Sequence, residues 1–115
     1  MTEERVMNRI WGRWEVLDLG KTSDGNSFKV KKLTILPRMS ISHQYHNFRA
    51  ETWVIVEGKA QVIQNGKSFV VGPGDVFTIN IKDSHKVLNI CEDTNLVAIE
   101  VQQGSITEED DIVRI

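Results

Sequence analysis

Short apolar runs separated by turn residues are the feature of this sequence that most constrains its fold. The runs span four to eight residues, and many alternate apolar with polar positions, as strands with one buried face do. No window of 12 or more residues keeps the 3.6-residue repeat of a helix. The pattern predicts an all-β barrel or sandwich. The predicted strands cover residues 14–19, 28–36, 39–42, 52–57, 60–64, 68–71, 76–79, 85–90 and 96–102.

Local patterns refine this prediction at three places. Asn65-Gly66 supplies the two positive φ angles of a type I′ turn, so residues 61–71 predict a tight hairpin. Residues 56–60 predict a second reversal. In residues 28–35 the apolar phase slips between Val30 and Leu33. A β-bulge would explain the slip, and a misread register is the alternative.

The length and composition fit one globular domain. The chain has 115 residues, of which 40% are hydrophobic and 26% charged, so we expect a single domain over residues 1–115. It has an N-terminal arm (about 1–14) and a short acidic C-terminal tail (about 105–115). Cys91 is the lone cysteine, which excludes a disulfide framework. The tail carries four consecutive acids and is predicted to be solvated, with a short helical turn capped by Thr107 as the alternative.

The charge balance excludes two classes of partner. The chain has 14 basic and 16 acidic residues and a formal net charge of -2, so it lacks a positive field that would attract nucleic acid or an anionic membrane. No apolar run approaches the ~20 residues that span a bilayer, and no apolar segment follows the first charged residues. We therefore expect a cytoplasmic protein that holds any anionic ligand with a few local cations.

Histidine, carboxylate and amide side chains predict a metal site. In an extended chain Gln44 and His46 share one strand face, opposite His43. Glu51 opens the next strand, and His85 begins a distant one. These nitrogen and oxygen donors suit a borderline divalent ion such as Fe, Mn, Co, Ni or Zn. Three or four protein ligands would leave positions open for substrate or water, whereas simple hydrogen bonding is the alternative role for each residue.

These residues resemble the two sequence motifs of the cupins. Their spacing matches the first motif at Gln44, His46, Glu51 and Gly58, and the second at Gly74, His85 and Asn89. Within the cupins, the chain resembles the C-terminal domain of type II mannose-6-phosphate isomerase/mannose-1-phosphate guanylyltransferase enzymes. The segments that carry this resemblance are Trp11-Gly12, Pro37, Arg49-Ala50-Glu51-Thr52-Trp53, Glu100-Val-Gln-Gln-Gly104 and Glu109-Asp-Asp-Ile-Val-Arg114.

The chain also departs from the family pattern. Asn80 and Lys82 stand where the second motif has proline and glycine, and Arg38 stands where the family has a glycine after Pro37. Because the loop of Asn80 and Lys82 would line the mouth of a cupin barrel, these departures bear on the substrate.

The resemblance implies a single cupin barrel, of the jelly-roll or double-stranded β-helix type, that holds one divalent metal ion. The implied metal ligands are Gln44, His46, Glu51 and His85. Glu51 and Arg49 are implied to be catalytic, and Arg49, Lys86 and Trp53 to bind substrate. Two of these assignments have alternatives. Lys86 would instead be a surface cation if His85 points inward, and Trp53 would instead fill the barrel and not stack on a sugar.

The activity that the resemblance implies is that of a stand-alone, metal-dependent aldose–ketose isomerase for mannose 6-phosphate and fructose 6-phosphate. The nucleotidyltransferase domain of the family is absent from the sequence, so guanylyltransferase activity is not expected. The alternative is a cupin of another class, either a metal-dependent oxygenase or a non-catalytic sugar-binding or sensing module. The apolar outward face of residues 52–56, together with Trp11 or Trp14, predicts a homodimer.

Overall fold

The computed structural model describes residues 5–115, which fold as an all-β domain, as predicted. No helix in that range is long and apolar enough to cross a membrane. The strands are β1 (Val6–Arg9), β2 (Gly12–Lys21), β3 (Ser27–Ile35), β4 (Gln44–Tyr45), β5 (Arg49–Glu57), β6 (Ala60–Gln64), β7 (Lys67–Val71), β8 (Val76–Ile79), β9 (His85–Asn89), β10 (Leu96–Gly104) and β11 (Val113–Arg114).

The strands form two antiparallel sheets around one interior. The larger sheet has the order β1-β2-β3-β10-β5-β8, and the smaller has the order β11-β4-β9-β6-β7. Buried apolar side chains from both sheets form a single core cluster. The long strands β3, β10 and β5 pair side by side over most of their length, so they fix the heights of the interior side chains relative to one another.

The interior has two halves of opposite character. On β3, Lys29 and Lys31 face inward at one end, and Leu33 and Ile35 at the other. We call the two ends the polar half and the apolar half. The polar half comprises Lys29, Lys31, Gln44, His46, Arg49, Glu51, His85, Glu100 and Gln102, and the apolar half comprises Leu33, Ile35, Ile55, Val62, Val87, Leu96 and Ala98.

Both predicted reversals are present. Gln64 pairs with Lys67 across Asn65 and Gly66, whose φ angles of 50° and 80° are those of a type I′ turn. Gly58, at φ 86°, lies between β5 and β6, and a Cβ atom there would come within 2.7 Å of the Asn95 carbonyl oxygen. Only glycine therefore fits this turn between the two sheets.

The predicted bulge in β3 is wrong. β3 pairs with β10 without a register shift, and its alternation is unbroken because Lys29 and Lys31 occupy inward positions. The irregularity lies in β2, where Leu17 is the extra residue between Val16 and Asp18. The apolar phase of β3 slips only if the two lysines are taken to face solvent.

Other differences concern short segments. Residues 39–42 are not a strand, since they make only the isolated bridge of Ser40 to Leu88. The short strands β1, β4 and β11 lie outside the predicted set. Residues 1–4 of the predicted N-terminal arm lie outside the described residues, and the rest of the arm is β1 and the start of β2.

The acidic tail is solvated only in part, since Glu108 and Asp110 are exposed whereas Glu109 and Asp111 face the barrel, and no helical turn forms at Thr107. Residues 105–115 fold back over the barrel, where β11 pairs with β4 and Asp111 is buried. The Asp111 carboxylate accepts hydrogen bonds from the backbone N–H groups of Asn47 (2.9 Å) and Phe48 (3.0 Å). Glu109 and Asp111 are held because buried cations and backbone donors of the barrel face them, which a linear pattern does not reveal.

The homodimer stays a prediction. Val56 is exposed on the outward side of β5, as the prediction requires. Trp14 cannot contribute to such an interface, because it is buried in the interior of the barrel. Sedimentation velocity at micromolar concentration would measure the assembly state.

Candidate metal centre

Three strands of the two sheets bring the predicted ligands together. Gln44 lies on β4 and is the register partner of His85 on β9, while His46 follows β4 directly. Glu51 and Trp53 lie two apart on β5 and so face the same way, into the interior. All of these side chains line one cavity of the barrel.

The donor atoms of His46, Glu51 and His85 lie within 4.8 Å of one another. His46 Nε2 is 3.1 Å from Glu51 Oε2, and His85 Nε2 is 3.5 Å from Glu51 Oε1. Both carboxylate oxygens also accept hydrogen bonds, Oε1 from Trp53 Nε1 at 3.0 Å and Oε2 from Arg49 Nε at 3.0 Å. The carboxylate is therefore fixed in orientation between the two imidazoles.

The tail sets the orientation of His46. Its Nδ1 atom lies 2.5 Å from the backbone carbonyl oxygen of Asp111, to which it donates. With the ring proton on Nδ1, the lone pair of Nε2 faces the cluster and accepts from Arg49 Nη2 at 3.2 Å. This is the tautomer that metal-binding histidines use when their other nitrogen donates to a carbonyl group.

Two orphaned atoms show that the cluster fits a metal ion. Gln44 Oε1 and His85 Nε2 are buried without a hydrogen-bond partner in the described part of the chain. Such atoms are rare in folded proteins, because an unpaired buried polar group costs about 1–3 kcal/mol. An amide oxygen, two imidazoles and a carboxylate form a donor set for a borderline divalent ion, so all four predicted ligands fit.

Two of the three predicted substrate-binding residues line the cavity, and the third faces away from it. Arg49 is buried in the cavity, and its Nη2 atom lies 2.9 Å from Glu51 Oε2. Trp53 lines the same cavity and combines barrel filling with its hydrogen bond to Glu51. Lys86 is not among the cavity residues, because it alternates with His85 on β9 and faces outward.

Several charged residues of the cavity escaped the sequence analysis. Glu100 on β10 is buried in the cavity, and it accepts a hydrogen bond from Gln102 Nε2 at 2.8 Å. Lys31 and Glu109 line the cavity as well. Strict alternation along β3 and β10 would have identified Lys31 and Glu100 as inward-facing. Glu109 carries no such signal, because it reaches the cavity from a tail without regular structure over residues 105–112.

Burial and neighbouring charges shift the pKa values of these groups in opposite directions. Burial raises the pKa of Glu51, but the adjacent His46 ring and the charge of Arg49 hold it well below its ordinary value. Burial and the charge of Glu51 raise the pKa of Glu100 well above its ordinary value. Burial lowers the pKa of His85, which favours the neutral imidazole that a metal ion requires.

Comparison with known proteins identifies the family of this chain. Residues 1–115 match the family described as mannose-6-phosphate isomerase C-terminal. The mannose-1-phosphate guanylyltransferase ManC of Salmonella typhimurium is 36% identical over 110 residues, which cover 96% of this chain and 22% of that protein. The alginate biosynthesis protein AlgA of Pseudomonas aeruginosa is 37% identical over 107 residues, which cover 93% of this chain and 21% of that protein. The chain thus spans about a fifth of the length of these relatives.

Solved structures support the fold alone. The capsular polysaccharide assembling protein CapF of Staphylococcus aureus superposes with a TM-score of 0.76 at 18% identity, covering 96% of this chain and 33% of that one. A cupin barrel protein of Salinispora arenicola superposes with a TM-score of 0.65 at 20% identity, covering 78% of this chain and 73% of that one. The predicted cupin barrel is confirmed, and the chain belongs to the family of mannose-6-phosphate isomerase C-terminal domains.

Proposed function

We propose that this domain is a metal-dependent aldose–ketose isomerase for a hexose 6-phosphate, of the mannose 6-phosphate/fructose 6-phosphate type. The observation that carries the proposal is the convergence of His46, Glu51 and His85, with the orphaned Gln44 oxygen, in a cavity that also holds buried cations. The family supports the same substrate class. The comparisons support a domain of this family and give no support to the stand-alone part of the prediction.

Isomerisation moves a proton between C1 and C2 of the open-chain sugar, and negative charge develops on the oxygens of those carbons. Gln44, His46, Glu51 and His85 would hold the metal ion. A divalent ion held there would supply Lewis-acid stabilisation of that charge. Arg49 can bind an anionic oxygen of the substrate already in the ground state, since its guanidinium group is charged and buried at the same cavity.

The proton transfer needs a carboxyl group beside the reacting carbons. Glu51 meets this condition, but both of its oxygens accept hydrogen bonds from fixed donors. Glu100 is another buried carboxyl group of the cavity, and it lies close enough to Glu51 for the charge of Glu51 to raise its pKa. We assign the transfer to Glu51, which would take the proton from one carbon and return it to the other, with Glu100 held beside it by Gln102.

A coupled assay on metal-loaded protein tests the proposal. Mannose 6-phosphate should be converted to fructose 6-phosphate, the activity should disappear with EDTA, and a defined divalent ion should restore it. Metal analysis should find one ion per chain. Metal binding at this cluster without interconversion of any hexose 6-phosphate would contradict the isomerase and favour the oxygenase or the binding module.

A further inference from the structure

The inner face of β3 carries two buried ammonium groups. Lys29 is 2% exposed and Lys31 is 4% exposed. Both contact the same carboxylate of the C-terminal tail: Lys29 Nζ lies 3.0 Å from Glu109 Oε2, and Lys31 Nζ lies 2.5 Å from Glu109 Oε1. One oxyanion therefore spans the pair, with one oxygen for each lysine.

The surroundings of this contact suit an anion. Lys31 Nζ also lies 3.9 Å from the centre of the Trp14 ring, which fixes the ammonium group on its apolar side. Arg49 lines the same cavity, and its Nη1 atom donates to the backbone carbonyl of Glu108 at 3.2 Å. Two lysines thus contact the tail carboxylate and a third cation lies in the same cavity, and burying these charges is favourable only with an anion among them.

The carboxylate is the part of this contact that can leave. The Glu109 side chain is 31% exposed, whereas the side chains of its lysine partners are 2% and 5% exposed. The tail is fastened by other residues, since Asp111 binds two backbone N–H groups and β11 pairs with β4. An outward rotation of the Glu109 side chain would leave these contacts intact.

We propose that Lys29 and Lys31 form the subsite for the phosphate group of a sugar phosphate, and that Glu109 occupies it until the phosphate displaces it. A phosphate monoester carries about −1.5 to −2 charges and three acceptor oxygens, so it satisfies the cations better than one carboxylate. Lys31 and Glu109 line the same cavity as His46, Glu51 and His85. A phosphate held there leaves the sugar carbons within the cavity of the candidate metal centre.

This inference rests on the proposed function for its choice of ligand, but its test does not use turnover. Inorganic phosphate is titrated into the whole chain by isothermal calorimetry at constant ionic strength, with and without EDTA, so that phosphate bound to a metal ion is distinguished. Glu109→Gln removes the competing carboxylate, and Lys31→Met removes a cation. The matched controls are Asp110→Asn, a neighbouring exposed acid, and Lys32→Met, on the outward side of β3.

Phosphate should bind Glu109→Gln about tenfold more tightly than the wild type, and Lys31→Met about tenfold to a hundredfold more weakly. Both controls should match the wild type. The subsite is disproved if Glu109→Gln binds no more tightly than Asp110→Asn, or if folded Lys31→Met binds like Lys32→Met. Should circular dichroism show Lys31→Met to be unfolded, the Glu109→Gln comparison decides alone.

The two hypotheses fail separately. If phosphate binds as expected but no hexose 6-phosphate is interconverted, the isomerase is wrong and the subsite stands. If the isomerase is active but phosphate affinity does not depend on Glu109 or Lys31, the phosphate subsite is wrong and the isomerase stands.

Discussion

The polar and apolar halves of the barrel are built from the same strands in the same register, yet they have opposite contents. β10 places Glu100 beside Lys31 at one height and Ala98 beside Leu33 at the next inward position. In the apolar half, burial stabilises the fold through close packing. In the polar half, burial opposes folding unless each charge has a partner. We therefore expect the apolar half to carry the stability of the domain and the polar half to contribute little to it.

Removing the central carboxylate of the polar half should have the largest effect. Glu51→Gln deletes the charge that links both histidines and Arg49, so we expect turnover of mannose 6-phosphate to fall by about a thousandfold or more, with weaker metal binding. The coupled isomerase assay and metal titration measure both effects. Glu57→Gln, at the exposed end of the same strand, is the control and should behave like the wild type. Equal activity of the two variants would remove Glu51 from the mechanism.

The apolar half should respond in stability rather than in activity. Ile35→Ala opens a cavity at a fully buried position, and we expect it to lower the free energy of unfolding by about 2–5 kcal/mol. Leu36→Ala, at an exposed neighbour, should cost about 0.5 kcal/mol or less. Urea unfolding measures both variants. A large loss of metal affinity in folded Ile35→Ala would show that the two halves are not separable.

Within the polar half, Arg49 should affect substrate binding more than turnover. Arg49→Ala removes a buried guanidinium group from the cavity, so we expect KM for mannose 6-phosphate to rise about tenfold or more, with a smaller fall in kcat. Lys86→Ala is the comparison, because Lys86 faces outward from β9 and should leave KM unchanged. A raised KM in Lys86→Ala would support the sequence assignment of Lys86 to the substrate site.

The two halves also differ in how well sequence predicts them. Side chains two residues apart on a strand face the same way, and this rule alone places Gln44 with His46 and Glu51 with Trp53. The cupin spacing adds His85. The alternation of β3 also places Lys29 and Lys31 inward, but the pattern favours solvent for them because buried lysines are rare and their partner Glu109 lies 80 and 78 positions away in the chain. Four successive acids likewise indicate a solvated tail, and the local pattern does not show which of them meet donors of the barrel. Alternation thus indicates the inward face, and the distant partner explains why a charge is tolerated there.

The low pKa of His85 predicts how the metal-free domain responds to acid. Burial disfavours the charged imidazole, and the charge of Glu51, which opposes this shift, is offset in part by His46 and Arg49. The folded state then binds its proton at lower pH than the unfolded state. This contribution to stability is fully present above the ordinary His value of about 6.5 and is lost as pH falls through the folded value. The raised pKa of Glu100 acts in the opposite direction, so the test compares the wild type with His85→Gln by urea unfolding between pH 8 and 5. The wild type should lose stability toward pH 5 relative to the variant, and an equal slope in both proteins would contradict the assignment.

The smallest effect is expected from relieving backbone strain at Lys82, in a loop beside the polar half. Lys82 has a φ angle of 67°, a left-handed conformation that costs a non-glycine residue about 1–2 kcal/mol, and it stands where the second cupin motif has glycine. Its N–H group donates to the His46 carbonyl at 2.8 Å, so the strain is held at the candidate metal centre. Lys82→Gly should relieve it and raise the free energy of unfolding by about 0.5–1 kcal/mol, after allowance for the greater freedom of glycine in the unfolded chain. Lys82→Ala removes the same side chain but keeps Cβ and should give no gain. Equal stability of the two variants in urea would show that this turn is not strained.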